Sequence, residues 1–322
     1  MLPVFFTVDV EVWCDGWQDL DERFPDAFRR YVYGPTPQGS FGLPAQLELL
    51  RDHGLRGVFF VEPLFSLRFG SAPLQEVVGL IREYGQDVQL HLHTEWVDEV
   101  AAPLLGEQGP RRKRQFLRQF SLDEQARLLE LGRRLLLEAG ASDVSAFRAG
   151  SFGFNADTLL ALERVGMAVD ASYNLTMSGP ASGVAPGAEL HDVTRLGDVV
   201  ELPMTVFQDG IGKLRHLQLG ACGAAEFEQC LDAAARGGRS AVVALSHNFE
   251  LLSDDKTRVD AVVWHRMRRL CAFLDRHRDQ FCTSHLGAST PATATGKDSR
   301  LRVGRAATAR RLGEQLIRKL LW

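Results

Sequence analysis

The sequence predicts an α/β fold built on a parallel sheet, and three observations carry that reading. Apolar runs of strand length alternate with stretches of helical periodicity along most of the chain. Several of the helical stretches close on a glycine, the residue that takes the left-handed turn past a helix end without strain. Three separate apolar runs end in acidic or histidine side chains, as expected where strand ends gather around a site.

The elements follow in order. Residues 3–10 form the first strand, and residues 43–53 a helix that Gly54 ends. Residues 57–61 (GVFFV) are the next strand, 74–84 a helix before Gly85, and 87–93 a third strand. Ser121 and Glu124 make a capping box for a helix running to about Glu138, ahead of Gly140. Asn155 caps a helix to Val165, closed by Gly166. Short strands are expected at 168–171 and 199–203, a helix at 227–235, a strand at 241–247 and a long helix at 259–277. Residues 13–42, rich in glycine, proline and aromatics, read as a long loop. No internal repeat is evident.

These elements divide the chain into a catalytic domain over 1–287, a small polar linker over 288–299 (ASTPATATGKDS) and a tail over 300–322. The tail holds seven Lys/Arg and one acidic residue. Its apolar residues Ala309, Leu312, Leu316 and Leu320 recur at helical spacing. A basic amphipathic segment of this kind, with Trp322 at its end, is a candidate for peripheral contact with an anionic membrane.

Bulk properties narrow the function. Of 322 residues, 45% are hydrophobic and 24% charged, which is a globular balance, and the net charge of −4 excludes nucleic-acid binding by overall charge. Five cysteines, an odd number with no C-x-x-C, indicate neither a disulfide framework nor a thiolate zinc site and fit a reducing compartment. The N-terminus has no basic-then-apolar leader pattern, and no window approaches the ~20 apolar residues of a membrane span. A cytoplasmic location is expected, with the tail as a contact to the inner membrane face.

Side chains alternate along a strand. Asp9 and Glu11 therefore share one face of the first strand, and His91 and His93 share one face of the third. His247 closes the run AVVALSH. Two imidazoles and one carboxylate with an open position are a common catalytic zinc set. Cobalt, nickel or manganese would also suit it. Arg148 lies in the glycine-containing turn FRAGSFGFN and could pair with a site carboxylate. Asp170 ends MAVD and could orient a histidine. Trp13 and Trp96 closely follow the candidate donors and are candidates to stack on sugar rings. Singly, each has a plainer explanation: strand-end caps, a surface ion pair, packing aromatics.

The motifs TVDVE, HLH, FRAGSFG, VDASYN and LSH, in that order over roughly residues 3–285, resemble those of the polysaccharide deacetylases, the NodB-homology or carbohydrate esterase 4 family. The resemblance implies an incomplete or distorted (β/α) barrel of about seven parallel strands. It implies a metal-dependent hydrolase that removes an N-acetyl group from an amino sugar of a glycan or lipid-linked glycan precursor. Carried over by residue, Asp9 is the general base, Glu11, His91 and His93 hold the metal, Arg148 holds the base, and His247 is the general acid. Asp170 stands where the fourth motif falls and would keep His247 in its tautomer, while a backbone N–H near Ser151 would meet the oxyanion. The chain departs from the family in having D-x-E where adjacent aspartates are usual and in spacing its histidines by two rather than four. The family register would make Glu95 the third ligand, whereas strand alternation favours His93. Gly150 and Ser151 stand where proline and an aromatic are usual. These departures resemble a subgroup found with exopolysaccharide biosynthesis. Two other readings keep the same residues: a deformylase or cyclic-amide hydrolase, and a glycan-binding protein with a degenerate site.

Overall fold

A computed structural model describes residues 1–100, 104–105, 113–286, 292–293 and 300–321. The chain forms two compact units, one of Met1–Gly57, Met204–Ser284 and Ala294–Trp322, the other of Val58–Pro203 and His285–Thr293.

The first unit is organised by the strand Leu2–Val10, buried at every residue but Pro3. Strands buried on both faces belong in a parallel sheet. Its parallel neighbours are Val242–His247 and Phe281–Thr283. The register with the former sets Asp9 opposite His247. The helices Ala224–Arg236 and Ala261–Arg276 form within two or three residues of their expected bounds.

Residues 13–42 are not the long loop that their composition suggests. They contain the helix Leu20–Phe28, a π-turn at Arg29–Tyr33 and a small hairpin, Pro35–Thr36 with Gly39–Ser40. Leu20, Phe24 and Phe28, four residues apart, make the buried stripe that holds the helix down. Asn248 ties this segment to the end of the first strand. Its side-chain amide donates to the carbonyls of Glu11 (3.1 Å) and Tyr31 (2.7 Å), and its oxygen accepts from the Glu11 N–H (3.0 Å).

The C-terminal residues belong to the first unit. Leu301–Arg302 pairs in parallel with Val206–Gln208, and the helix Arg305–Leu321 packs on Ala224–Arg236. Of the expected linker, only 292–293 lie among the described residues. No helix among the described residues is long and apolar enough to cross a membrane.

In the second unit, strands Gly57–Val61, Asp87–Leu92, Ala146–Ala149, Val169–Asp170 and Val199–Glu201 run parallel in that order, with Thr194–Leu196 antiparallel at the edge. Helices Ala72–Glu83, Leu122–Glu138 and Ala156–Val165 connect them. The expected caps are present: Ser121 Oγ accepts from the Glu124 N–H while Glu124 accepts from the Ser121 N–H. Gly166 takes the left-handed conformation after Val165. Gly132 lets its helix lie close to the sheet, since a Cβ there would come within 2.8 Å of Leu90.

Candidate metal and catalytic site

In the first unit, the strand register gathers Asp9, Glu11 and His247, whose ligand atoms all lie within 4.8 Å of one another. Asp9 is 4% exposed and Glu11 7%. Buried carboxylates need hydrogen bonds or opposite charges, and Glu11 has one such bond from Trp13, whose indole N–H donates to Oε2 at 2.6 Å.

His247 is fixed from its other side. Its Nδ1 lies 2.6 Å from Oε2 of Glu250, and Glu250 in turn accepts from the Gln218 amide at 3.1 and 3.3 Å. Burial pulls the pKa of His247 down, but the hydrogen bond and charge of Glu250, with the charges of Glu11 and Asp9, outweigh it and carry the imidazole to about 9. Burial would raise the Glu250 carboxyl, yet its bonds to His247 and Gln218 hold it below its ordinary value. The carboxylate of Glu250 takes the Nδ1–H of His247, which leaves Nε2 free of that bond.

In the second unit, His91 and His93 stand side by side, ring centroids 4.9 Å apart, as the alternation requires. His91 is 1% exposed and its Nδ1 sits 2.8 Å from the Arg148 carbonyl. Nδ1 must donate there, which leaves the lone pair on Nε2, the usual arrangement of a metal-ligating histidine. His93 follows the strand, and its Nδ1 lies 3.5 Å from Glu95 Oε2. Glu95 thus accompanies His93. Gly150 leaves the room: a Cβ there would fall 2.6 Å from the Leu92 carbonyl and 2.9 Å from His93 Nδ1. Next along, Ser151 and Phe152 both take positive φ, +51° and +55°. Two consecutive non-glycine residues in this region make a strained turn of a kind concentrated at functional sites. Ser151 Oγ accepts from Gln115 at 3.3 Å.

Arg148 is fully buried, its Nε donating to the Ala171 carbonyl at 3.1 Å and its guanidinium 4.3 Å from the Phe60 ring centre. Asp170 and Glu201, also fully buried, are hydrogen-bonded to each other. Ser172 Oγ donates to Asp170 at 2.5 Å, and Glu201 accepts from the Tyr173 N–H at 3.0 Å. Burial raises both carboxyls, Asp170 to about 6 and Glu201 well above its ordinary value, against the opposing charge of Arg148.

Two sequence expectations are corrected. The carboxylate on His247 Nδ1 is Glu250; Asp170 is engaged with Ser172 and Glu201 instead. Trp96 is 2% exposed and packs edge-on against Phe65 and Phe69, so it is a core residue with no face for a sugar. Trp13 remains partly exposed and binds Glu11. Glu201 and Glu250 were missed. Glu201 ends an apolar strand in an acid, the signal that picked out Asp9, whereas Glu250 lies in a turn without periodicity.

No family model matches the chain, and no curated protein matches it in sequence. In structure it is similar to a Mycobacterium smegmatis protein assigned as a polysaccharide deacetylase, at 18% identity over 92% of this chain and 94% of the other, with a TM-score of 0.54. A family 4 carbohydrate esterase from Streptomyces lividans aligns over 92% and 98% of the two chains at 13% identity (TM-score 0.46). A family 4 pseudoenzyme from Bacillus anthracis aligns over 88% and 63% at 12% (TM-score 0.42). The chain has the α/β fold, an incomplete (β/α) barrel, of the polysaccharide deacetylases that its motifs resemble.

Proposed function

We propose that the protein is a metal-dependent carbohydrate N-deacetylase that removes the N-acetyl group from an amino sugar of a glycan or lipid-linked glycan precursor. The observation that carries this reading is the clustering of Asp9, Glu11 and His247, with the Nδ1 of His247 engaged by Glu250. Binding a glycan needs neither a carboxylate base nor a poised acid; splitting an amide needs both.

Glu11, His91 and His93 are the proposed metal donors. The set fits a divalent metal on its chemistry: one carboxylate and two imidazoles, with the Nε2 lone pair of His91 fixed by the Arg148 carbonyl. Zinc is the default, with cobalt, nickel and manganese compatible. When bound, the metal supplies Lewis acidity and lowers the pKa of water.

The remaining roles fall to the chain. Asp9 accepts a proton from the attacking water, and the Nε2–H of His247 protonates the leaving amine. Arg148 contributes a buried positive charge, and a peptide N–H of the Ser151 turn donates to the oxyanion, a contribution of about 3 kcal/mol where measured elsewhere. Trp13 orients Glu11 and walls the site. The products are acetate and a free amino sugar.

Elemental analysis of the wild type and His91→Ala tests the donor set. About one equivalent of metal in the wild type, lost in the variant, is expected. Acetate release from N-acetylated sugars, compared with formate release from N-formylated ones, then identifies the bond. Absence of both metal and acetate after incubation with excess zinc would sink the proposal in favour of glycan binding.

A further inference from the structure

The helix Arg305–Leu321 docks on the first unit by its charged side. Arg311, 3% exposed, reaches Glu226 at 3.0 Å and Asp209 at 3.1 Å, both fully covered at the carboxylate. Thr308 Oγ donates to Glu226 at 3.0 Å. Glu314 accepts from the buried Arg266 at 2.9 Å, and Arg318 from the other direction grips Asp260 at 2.6 Å and the Gly220 carbonyl at 3.0 Å. Positions 308, 311, 314 and 318 form one stripe at helical spacing, and it faces inward.

The adjoining stripe, from Leu312 round to Ile317, is apolar and open. Leu312 is 42% exposed, Leu316 63% and Ile317 52%, with Ala309 exposed between them and the first turn. Ile211, 72% exposed, sits beside that first turn, where the Gly210 backbone touches Arg305. Soluble surface helices bury their apolar stripe and solvate their charges; here the arrangement is inverted. The outward face is bordered by Arg305, Arg310 and Lys319, and one flank opens on a groove of about 850 Å³.

We propose that this face lies on an anionic lipid bilayer, with Leu312, Leu316 and Ile317 in the acyl boundary and Arg305, Arg310 and Lys319 on the headgroups. Charge decides between this occupant and a second copy of the chain. Two copies packed face to face would bring their cationic borders together around the apolar strip, with Asp254 in the flanking groove as the one exposed carboxylate among its lining residues. An anionic surface meets the same borders with opposite charge. The ion pairs of Arg311, Arg266 and Arg318 hold the helix in place, so the face is preformed. This inference stands whether or not the protein is a deacetylase.

Co-sedimentation of the full chain with vesicles tests it. Binding to phosphatidylcholine vesicles containing phosphatidylglycerol, and little to phosphatidylcholine alone, is expected. Leu316→Glu with Ile317→Glu should abolish binding, and both positions are exposed enough that the circular dichroism and melting temperature should hold. Arg310→Gln and Lys319→Gln should each weaken binding about fivefold. Wild-type protein that stays in the supernatant with anionic vesicles overturns the proposal, as does retention of binding by the double glutamate variant. A lipid-free dimer in light scattering, dissociated by the same variant, would give the face to a second copy instead.

Discussion

His247 Nδ1 and Glu250 Oε2 lie 2.6 Å apart, and Gln218 holds the carboxylate from its far side. The pair raises the imidazole to about 9, so the acid form persists through neutral pH. Glu250→Gln keeps the shape but removes the charge. Its kcat should fall about 10- to 100-fold with KM little changed. The basic limb of the pH profile should move to lower pH, because the imidazole then loses its proton sooner. Glu250→Asp should recover part of the loss. A profile that does not move would remove Glu250 from the mechanism.

Arg311 is the only cation facing both Glu226 and Asp209 in the described contacts, and all three are buried. Arg311→Met would leave two carboxylates without their cation. Removing one partner of a buried ion pair typically destabilises by about 3–5 kcal/mol. Urea denaturation should show a loss of that order together with a lower midpoint, and a loss below about 1 kcal/mol would mean that the C-terminal helix contributes little to the first unit.

The Asp170–Glu201 pair makes a signed prediction for stability against pH. Both carboxyls titrate higher in the folded chain than in the unfolded one, so the folded state binds the extra proton. Their contribution is complete below the unfolded carboxylate range and is lost as pH rises through the folded value of Asp170, about 6. Asp170→Asn keeps an oxygen that can accept from Glu201 and removes one ionisation. Thermal unfolding at pH 5 and pH 8 should therefore differ less in this variant than in the wild type. An unchanged difference would show that the pair does not govern this slope.

The parts legible in the sequence were those encoded by local periodicity. Alternation placed Asp9 with Glu11 and His91 with His93, and the caps at Ser121 and Asn155 formed as expected. What escaped was non-local or masked by composition. The helical spacing of residues 309–320 was visible, but the inward face is set by Asp209, Glu226 and Asp260, which lie some 50 to 100 residues away in sequence. The helix Leu20–Phe28 hid behind its acids and Pro25 because only Leu20, Phe24, Ala27 and Phe28 are buried. Asp170 stood where a fourth motif belongs, yet a turn three residues past His247 supplies the carboxylate, and no period in the sequence marks a turn contact.

Gly150 offers the sharpest test of the donor geometry, because it constrains a candidate ligand without touching a metal. Its hydrogen stands where a Cβ would press on the Leu92 carbonyl at 2.6 Å and on His93 Nδ1 and Cε1 at 2.9 and 3.0 Å. The carbonyl belongs to a paired strand and cannot give way readily, so in Gly150→Ala the His93 ring must move. Positioning contacts around a metal ligand are worth about 10- to 100-fold in affinity. Competition with a chelating dye should show zinc affinity falling by that order, while His53→Ala, a change at a partly exposed histidine paired with Asp275, leaves it unaltered. If Gly150→Ala binds zinc as tightly as the wild type while Glu95→Gln does not, Glu95 rather than His93 is the third donor, as the family register of the motif would have it.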